Sequence, residues 1–434
     1  MVGGCASRSR RRSVIGVVAA AVGLSFVATL GAARQTTGVP LRAMLKEAYE
    51  LVKKRYYDPA YHGVDWDRRY QDFDAKIRAT TSVNAGLGAI AEFLDGLKDS
   101  HTYFLPPSRP FEHDYGYRLR IVGEKTLISR VLPKTDAEAK LQPGDEVLSI
   151  NGFEPSRDTL FTVQYILEIL APLETVDLVI RKPGGARRQV QINAKIVEKP
   201  RRLAEWEPWA IYRTKDDPTR TEPHRVASIG DVMIWGMPSF RVEDRVVDNL
   251  WERARGHQSV ILDLRGNPGG YKTALNRMLA NVFDRDVKAY DVLERKGRTP
   301  ENIKSRKGSA FTGTLMVLID GDSASAAELF ARVMQIERRG TVVGDRSMGA
   351  VMVGRLHEGE SRHLIYGFMV TEADTIMTDG KSLERTGVVP DETILPTAED
   401  LASGRDPVLA RVAERVGLSL TPEAAGKLFE KKAP

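Results

Sequence analysis

The sequence predicts an α/β protein in three parts: a small helical region, a compact β-rich module, and an α/β core with a largely parallel sheet. Apolar residues recur at helical spacing over residues 41–90, which predicts helices there. Short strand-like segments separated by turn residues follow between residues 117 and 192. The core is predicted from uninterrupted apolar runs that alternate with helical patterns, at residues 232–237, 260–264, 315–319 and 341–343. Such runs are typical of strands buried on both faces of a parallel sheet.

Composition and charge exclude several classes of protein. The chain has 434 residues, of which 42% are apolar and 28% charged, as expected of two to four globular domains rather than a disordered polymer. The net charge is +6, but five arginines and no acidic residue lie in the first 34 positions, so the rest is nearly neutral. This balance argues against a nucleic-acid partner. A single cysteine, Cys5, excludes an intramolecular disulfide and a thiolate-rich metal site.

The first 35 residues have the pattern of an export signal. Basic residues 8–12 precede the nearly uncharged apolar stretch 14–33, and small residues at 31–33 favour cleavage. Because about 20 apolar residues can also cross a bilayer, an uncleaved membrane anchor is the alternative. We therefore expect the protein to be exported to the periplasm or cell envelope.

The remaining chain divides into four predicted regions. A helical domain spans 36–108, the β-rich module 113–198, the α/β core 199–398 and a helical tail 399–434. Within the module we expect a helix over 159–170 and strands at 117–122, 126–131, 146–150, 176–181 and 189–192.

Three segments contain residues suited to hydrolytic chemistry. Ser325 lies where the predicted strand 315–319 turns into a helix, so it is either a nucleophile whose oxyanion the Ala326 amide receives, or a helix cap. Gly269 and Gly270 end the second strand–turn segment, where their amides can approach a substrate carbonyl. His101 lies in a polar element before a proline turn and could accept the serine proton.

Taken together, these segments resemble the C-terminal processing (tail-specific) serine proteases. The resemblance is carried by residues 263–270 (DLRGNPGG), 323–328 (SASAAE) and 383–391 (LERTGVVPD), and covers nearly everything after about residue 40. Residues 141–152 (LQPGDEVLSING) resemble part of a PDZ domain. The resemblance implies a crotonase/ClpP-like protease core with an inserted PDZ domain, and it puts Ser325 at the nucleophile position.

The sequence departs from the serine–lysine branch of that family. The lysine expected about 25 residues after the serine is replaced by Ala350, which cannot accept a proton. The tricorn-like branch instead uses serine, histidine, a serine beside that histidine and a distant glutamate, and Ser100, His101 and Glu384 stand at matching places. In this resemblance His101 takes the proton of Ser325, while Ser100 and Glu384 orient the imidazole. If the histidine is the base, the rate should fall as the pH is lowered through roughly 7 to 6, where an ordinary imidazole becomes protonated.

The expected substrate is an extended or partly unfolded polypeptide, bound by its C-terminus. A PDZ module receives a peptide as an added strand, and here Tyr115, Gly116, Tyr117 and Leu119 would form the carboxylate loop and apolar wall. The sequence contains no metal-, nucleotide- or redox-cofactor motif, so no cofactor is expected.

Several alternatives stay open at this stage. Lys272 or Lys381 could be a displaced base, although both lie among polar loop residues. Glu328 is expected to make a structural hydrogen bond rather than to transfer a proton. A catalytically inactive, protease-like scaffold that only binds peptide C-termini is the alternative function, motivated by Ala350. An acyl-thioester enzyme is a third possibility, which the β-rich module disfavours.

Overall fold

The computed structural model describes residues 40–198 and 224–429. The predicted export signal at residues 1–35 lies outside the described residues, and so does the start of the predicted core. No helix within the described ranges is both long and apolar enough to cross a bilayer.

Three helices begin the described chain, and polar caps set where two of them start. They are α1 (Leu41–Arg55), α2 (Trp66–Arg78) and α3 (Val83–Asp95). The Asp65 carboxylate accepts from the Arg68 amide before α2, and the Ser82 hydroxyl accepts from the Ala85 amide before α3. Helix α1 is amphipathic, with a buried face formed by Met44, Leu45, Ala48 and Val52.

These helices pack against a five-stranded antiparallel sheet that the sequence did not reveal. Its strands are β1 (Tyr103–Leu105), β12 (Val287–Glu294), β13 (Gly297–Ile303), β16 (Val353–Ser361) and β17 (Leu364–Met377). Strand β17 is central and pairs with β1, β12 and β16. Its buried residues Tyr366, Phe368 and Val370 share one apolar core with the helices. The helical region and this sheet therefore form a single packing unit.

The β-rich module is an antiparallel sheet with its own core. The strands, in spatial order, are β3 (Tyr117–Val122), β4 (Lys125–Val131), β5 (Glu146–Ile150), β6 (Thr175–Arg181) and β7 (Arg187–Asn193). Helix α4 (Leu160–Tyr165) continues as a π-helical turn over Ile166–Leu170 and packs Val163 and Leu167 into the core. Strands β2 (Phe111–Asp114) and β8 (Lys195–Glu198) pair, so the chain enters and leaves the module at one place.

The core contains a six-stranded sheet whose strands are parallel except at one edge. In spatial order they are β18 (Glu392–Thr393), β15 (Thr341–Gly344), β14 (Thr314–Ile319), β11 (Ser259–Asp263), β10 (Val232–Gly236) and the antiparallel β9 (Arg225–Ile229). Both faces are covered. One face packs on α5 (Asp244–Ala254), α6 (Lys272–Ala280) and α7 (Ala326–Ile336).

The other face of that sheet is covered by the end of the chain. Helices α8 (Ala398–Ser403), α9 (Pro407–Arg415) and α10 (Pro422–Gly426) follow the last strand. Val408, Leu409 and Val412 of α9 pack against strand residues such as Ile261 and Leu318. Alternate residues of each central strand thus enter different cores, which explains the uninterrupted apolar runs.

The carboxyl ends of β11 and β14 bring two functional loops to the same edge of the sheet. Parallel strands direct their following loops to one side, where α/β proteins commonly bind ligands. At this edge Arg265 bridges Asp263 and Asp406 with its guanidinium, at 2.7 Å to each carboxylate. The C-terminal helices are thereby connected to residues 264–270, the glycine loop that follows β11.

Candidate active site

Ser325 stands at the head of α7 in a strained backbone conformation. Its φ of +54° and ψ of −119° are rare for a residue with a side chain, and such strain is concentrated at functional turns. The preceding Ser323 is fully buried, donates to the Leu264 carbonyl (2.8 Å) and accepts from the Asp320 amide (2.9 Å). Of the two serines, Ser323 has the structural role and Ser325 is the more accessible. Ser325 is also the N-cap residue, but a cap does not require a positive φ.

The glycine loop lies against this turn. A β-carbon added at Gly269, whose φ is +88°, would lie 2.7 Å from the Ser325 Cβ and 2.9 Å from the Ala326 nitrogen. The Gly269 amide is already used, since it donates to Asn267 Oδ1 (2.8 Å). Across residues 40–198 and 224–429, the amides of Gly270 and Ala326 donate no hydrogen bond. Of the two glycines predicted to bind an oxyanion, Gly270 therefore has the available donor.

Asn267 joins the two loops and was not singled out from the sequence. It is fully buried, its amide group donates to the Met237 carbonyl (2.8 Å), and its main-chain carbonyl accepts from Ala324 (2.9 Å). An asparagine before Pro-Gly is ordinarily interpreted as a turn residue, so the sequence offered no signal for this contact.

The histidine arm consists of Glu384, Ser100 and His101, which come from distant parts of the sequence. Glu384 accepts from the Ser100 amide through Oε1 (2.7 Å) and from the Ser100 hydroxyl through Oε2 (3.0 Å). The same hydroxyl lies 2.7 Å from His101 Nδ1. A serine hydroxyl has one proton, and giving it to the carboxylate makes Nδ1–H the donor to Ser100. This assignment of the tautomer leaves Nε2 unprotonated, as a general base requires.

One short stretch of main chain connects the serine turn to the histidine arm. Glu328 Oε2 accepts from the amides of Ser325 (2.9 Å) and Ala350 (2.9 Å). The next amide, that of Val351, donates to Glu384 Oε2 (3.1 Å). Two adjacent peptide groups therefore link the Glu328 carboxylate, which binds the serine turn, to the Glu384 carboxylate, which binds Ser100. The 323–328 and 100–101 segments are connected through this stretch of main chain.

Glu328 is a buried structural carboxylate. Besides the two amides above, its Oε1 accepts from Ser347 Oγ and from the Gly349 amide, each at 2.6 Å. Burial raises its pKa, and these hydrogen bonds oppose that shift. The methyl group of Ala350, whose amide donates to this carboxylate, is buried.

Burial shifts the pKa values of His101 and Glu384 in opposite directions. It lowers the pKa of His101 to about 4, because a desolvated imidazolium is disfavoured. It raises the pKa of Glu384 to about 7, and the negative charge of Asp99 adds to that rise. The acid limit expected from an ordinary imidazole, pH 6 to 7, is therefore not the one that the half-buried His101 ring would give.

Both candidate lysines occupy surface positions. The Lys272 side chain is 57% exposed and pairs with Glu301 at 2.5 Å. Lys381 is exposed in the turn after β17, where its amide donates to Asp379.

The residues predicted to bind a peptide are mostly engaged within the module. The buried Tyr115 phenol donates to the carbonyls of Leu167 (3.2 Å) and Leu173 (2.9 Å). The Gly116 amide was expected to bind a peptide carboxylate, but in this structure it donates to Asp114 Oδ1 (3.0 Å). Tyr117 is buried in the module core and Leu119 is half-buried beside it. In the part of the chain that the structure describes, strand β3 pairs only with β4, so its other edge has no strand partner.

Among the described residues, no group of three or more His, Cys, Asp or Glu side chains is arranged to hold a metal ion.

Two family models match the chain. Residues 229–394 match the model described as peptidase family S41, and residues 41–85 match the tricorn protease C1 domain. The first of these covers the core from the end of β9 to β18, including the glycine loop, Ser325 and Glu384. The second covers α1 and α2 and ends at the start of α3.

Curated relatives match most of this chain in sequence. Carboxyl-terminal-processing peptidase 3, chloroplastic, from Arabidopsis thaliana is 25% identical over 389 residues, covering 86% of this chain and 72% of the relative. Putative tricorn protease homolog 2 from Streptomyces coelicolor is 24% identical over 403 residues, 87% of this chain but 32% of the relative.

Two solved structures share the fold at low identity. Mature CPAF superposes with a TM-score of 0.67 at 15% identity, covering 91% of this chain and 98% of its own. The photosystem II D1 C-terminal processing protease gives 0.54 at 18% identity, covering 83% and 94%. The chain therefore carries an S41 peptidase domain and a tricorn C1 domain, and it is a serine-type peptidase related to the carboxyl-terminal processing proteases.

Proposed function

We propose that the protein is an exported endopeptidase that cleaves extended or partly unfolded polypeptides, with Ser325 as nucleophile and His101 as base. The observation that carries this proposal is the hydrogen-bonded series Glu384–Ser100–His101, which directs Nδ1 toward Ser100 and, with the proton on Nδ1, makes Nε2 the basic nitrogen of the ring. Glu384 and Ser100 are the residues that orient the imidazole and stabilise its cation.

The proposed reaction is acyl transfer through a covalent intermediate. Ser325 Oγ attacks the carbonyl carbon of the scissile bond as His101 Nε2 takes its proton, and the oxyanion is received by the amides of Gly270 and Ala326. The tetrahedral intermediate then breaks its C–N bond, and His101 gives the proton to the leaving amine. Water, deprotonated by the same imidazole, hydrolyses the acyl-enzyme and restores the free hydroxyl.

We propose that the module at 113–198 is a PDZ domain that selects the substrate. Edge strand β3 could accept an extended peptide as a further strand, and α4, which packs on the same module core, would form the second side of the groove. Because the Gly116 amide is engaged, the peptide carboxylate would be bound by a rearranged loop or by other donors at the start of β3. The core is proposed to be of the crotonase/ClpP-like type, built from βα units.

Export and attachment to the envelope remain proposals from the sequence of residues 1–35. Three of the relatives have names that place them in the chloroplast. N-terminal sequencing of the protein recovered from its native cell fraction would test whether the segment is removed.

The test of the proposed mechanism is labelling and turnover with matched variants. A serine-directed fluorophosphonate should label the wild-type protein at Ser325, and Ser325→Ala should lose both labelling and peptide cleavage while remaining folded. Ser323→Ala tests the neighbouring serine as a control, and its labelling should persist in whatever fraction folds. Unchanged cleavage by Ser325→Ala would refute the assignment. A wild-type protein that binds peptides but is neither labelled nor active would instead be the inactive scaffold.

A further inference from the structure

Asp99 precedes the histidine arm and contacts it through the main chain. Its Oδ1 accepts from the His101 amide (2.9 Å) and from the Thr371 hydroxyl (2.7 Å). Its Oδ2 accepts from the Tyr56 hydroxyl (2.8 Å). The carboxylate therefore joins the end of α1, strand β17 and the residue proposed as the base.

The two hydroxyl donors are themselves held in place. Tyr56 and Thr371 are both fully buried. Thr371 is fixed further, because its amide donates to Thr102 Oγ1 (3.1 Å) and its carbonyl accepts from the Tyr57 amide (3.1 Å). A carboxylate bound to rigid, buried donors has a defined position, so both its hydrogen bond to His101 and its charge act from a fixed point.

The charge of Asp99 is not offset by a cation in contact with it. In the described ranges of the chain, the three donors at this carboxylate are a main-chain amide and two hydroxyls, all uncharged. The titratable and charged groups on the elements packed around it are Tyr56, Tyr57, Asp58, His62, Asp95, Lys98, His101, Arg295, Asp374, Glu384 and Arg385. The nearby cations bond elsewhere: Lys98 to Asp95, Arg295 to the Tyr56 carbonyl, and Arg385 to the Lys98 carbonyl.

We propose that Asp99 is a positioning residue of this peptidase site, which fixes the main chain of His101 and places the charge of its carboxylate behind the Glu384–Ser100–His101 arm. The inference rests on the proposed function, because it assigns a role in the same reaction. It adds a third carboxylate to the two acidic side chains, Glu384 and Glu328, already located beneath the site.

The charge has a predictable direction of effect on both ionisable members of the arm. Asp99 opposes the burial of His101, raising the pKa of the imidazole, and it also raises the pKa of Glu384. Removing the charge should lower both pKa values. Neutral His101 and ionised Glu384 would then persist to lower pH, so the acid limb of the activity profile should move down. A purely structural loss would lower activity at every pH without moving that limb.

Asp99→Asn isolates the charge from the shape. The asparagine Oδ1 can still accept from the His101 amide and the Thr371 hydroxyl, while its NH2 can donate to the Tyr56 oxygen once that hydroxyl turns. Thr371→Val and Tyr56→Phe are the matched controls, since each removes one hydrogen bond to Asp99 and keeps the negative charge. Two readouts are needed: the pH profile of kcat/KM, and the apparent pKa of His101 measured by NMR in a Ser325→Ala background.

We expect Asp99→Asn to move the acid limb and the NMR midpoint of His101 down by roughly one pH unit, the size of effect of one nearby charge. The two controls should lower kcat several-fold, leave KM nearly unchanged and leave the limb in place. An unmoved limb and midpoint in Asp99→Asn, or an equal shift in Thr371→Val, would overturn the proposal. If Asp99→Asn does not fold, Asp99→Ser carries the same expectation.

The two readouts separate this inference from the proposed function. The NMR titration needs no turnover, so a shift there with full activity in Ser325→Ala would refute the proposed nucleophile but retain the electrostatic role of Asp99. Loss of activity in Ser325→Ala without any shift in Asp99→Asn would support Ser325 as the nucleophile and refute the electrostatic role of Asp99.

Discussion

Replacing Glu384 by glutamine should be more damaging than its size suggests. The carboxylate accepts three hydrogen bonds, from the Ser100 amide, the Ser100 hydroxyl and the Val351 amide. Glutamine offers one oxygen and one NH2. If its oxygen faces the Ser100 amide, the NH2 faces the Val351 amide; in the other orientation the NH2 faces the Ser100 amide. Either way one donor loses its acceptor, at a cost of about 1–3 kcal/mol of folding free energy.

The larger effect of Glu384→Gln should be on the tautomer of His101. In the first of these orientations the NH2 takes the place of Oε2, so the Ser100 hydroxyl accepts from it and turns its own proton to His101 Nδ1. The imidazole proton then moves to Nε2, which can no longer accept from Ser325. Loss of the correct tautomer in a comparable triad lowers kcat by about 10⁴-fold. We expect a loss of about 10³- to 10⁴-fold here.

The assay is kcat and KM for an unstructured peptide, with thermal unfolding measured in parallel. Thr386→Val is a suitable control, because it changes an exposed side chain two residues away in the same loop. Glu384→Gln should lower kcat and leave KM within a few-fold, while the control behaves as wild type. Activity of Glu384→Gln within tenfold of wild type would refute the proposed role of this carboxylate in fixing the imidazole.

Three further predictions concern pH, the glycine loop and stability. The pKa of Glu384 is raised to about 7, and its ionised form is the one required for activity. The value of kcat/KM should therefore rise as the pH increases through about 7 and be largely lost at pH 5. A profile that is flat from pH 5 to 8 would contradict this prediction. Gly269→Ala should abolish peptide cleavage, since the added methyl would lie 2.7 Å from the β-carbon of the proposed nucleophile, whereas Gly63→Ala, with a similar φ and no atom within 4 Å, should cost only backbone strain. Asp406→Asn should lower the unfolding free energy by about 3 kcal/mol, because it neutralises one of the two carboxylates paired with the largely buried Arg265 guanidinium. A change in denaturant midpoint corresponding to less than about 1 kcal/mol would contradict this prediction.

The parallel core was predictable because its strands are uniform in environment. Residues 315–319 were expected to form a strand, and Thr314–Ile319 does, since alternate side chains enter apolar cores on both faces. In the module the predicted 146–150 coincides with Glu146–Ile150. Apolar periodicity reports burial, and where burial is uniform along an element it also locates that element.

The antiparallel sheet was missed because its central strand does not follow that rule. Strand Leu364–Met377 contains buried polar residues, including Thr371, Asp374 and Thr375, which interrupt the apolar pattern. Their partners come from distant segments: the Thr371 hydroxyl bonds Asp99, 272 positions earlier. A polar residue that is buried next to a site looks like a surface residue until its partner is known.

The same limit applies to the site. The identities of Ser325, His101 and Glu384 were suggested by family resemblance, but neither Asp99 nor Asn267 stood out, since each lies among loop residues of ordinary composition. The ionisation of His101 was likewise beyond the sequence. Its pKa depends on how far the folded chain removes it from water, and a short polar segment before a proline turn gives no indication of that burial.

The absence of a lysine at position 350 takes on a different meaning in this fold. As a sequence feature, Ala350 suggested lost catalysis. In the structure its amide is bonded to Glu328, and the next amide, from Val351, is bonded to Glu384. The loop therefore contributes main-chain donors rather than a basic side chain, and those donors set the distance between two carboxylates. A buried lysine at this place would put an ammonium beside Glu328 and compete for its hydrogen bonds. Ala350 is thus compatible with a working histidine arm, and the inactive scaffold loses the observation that motivated it.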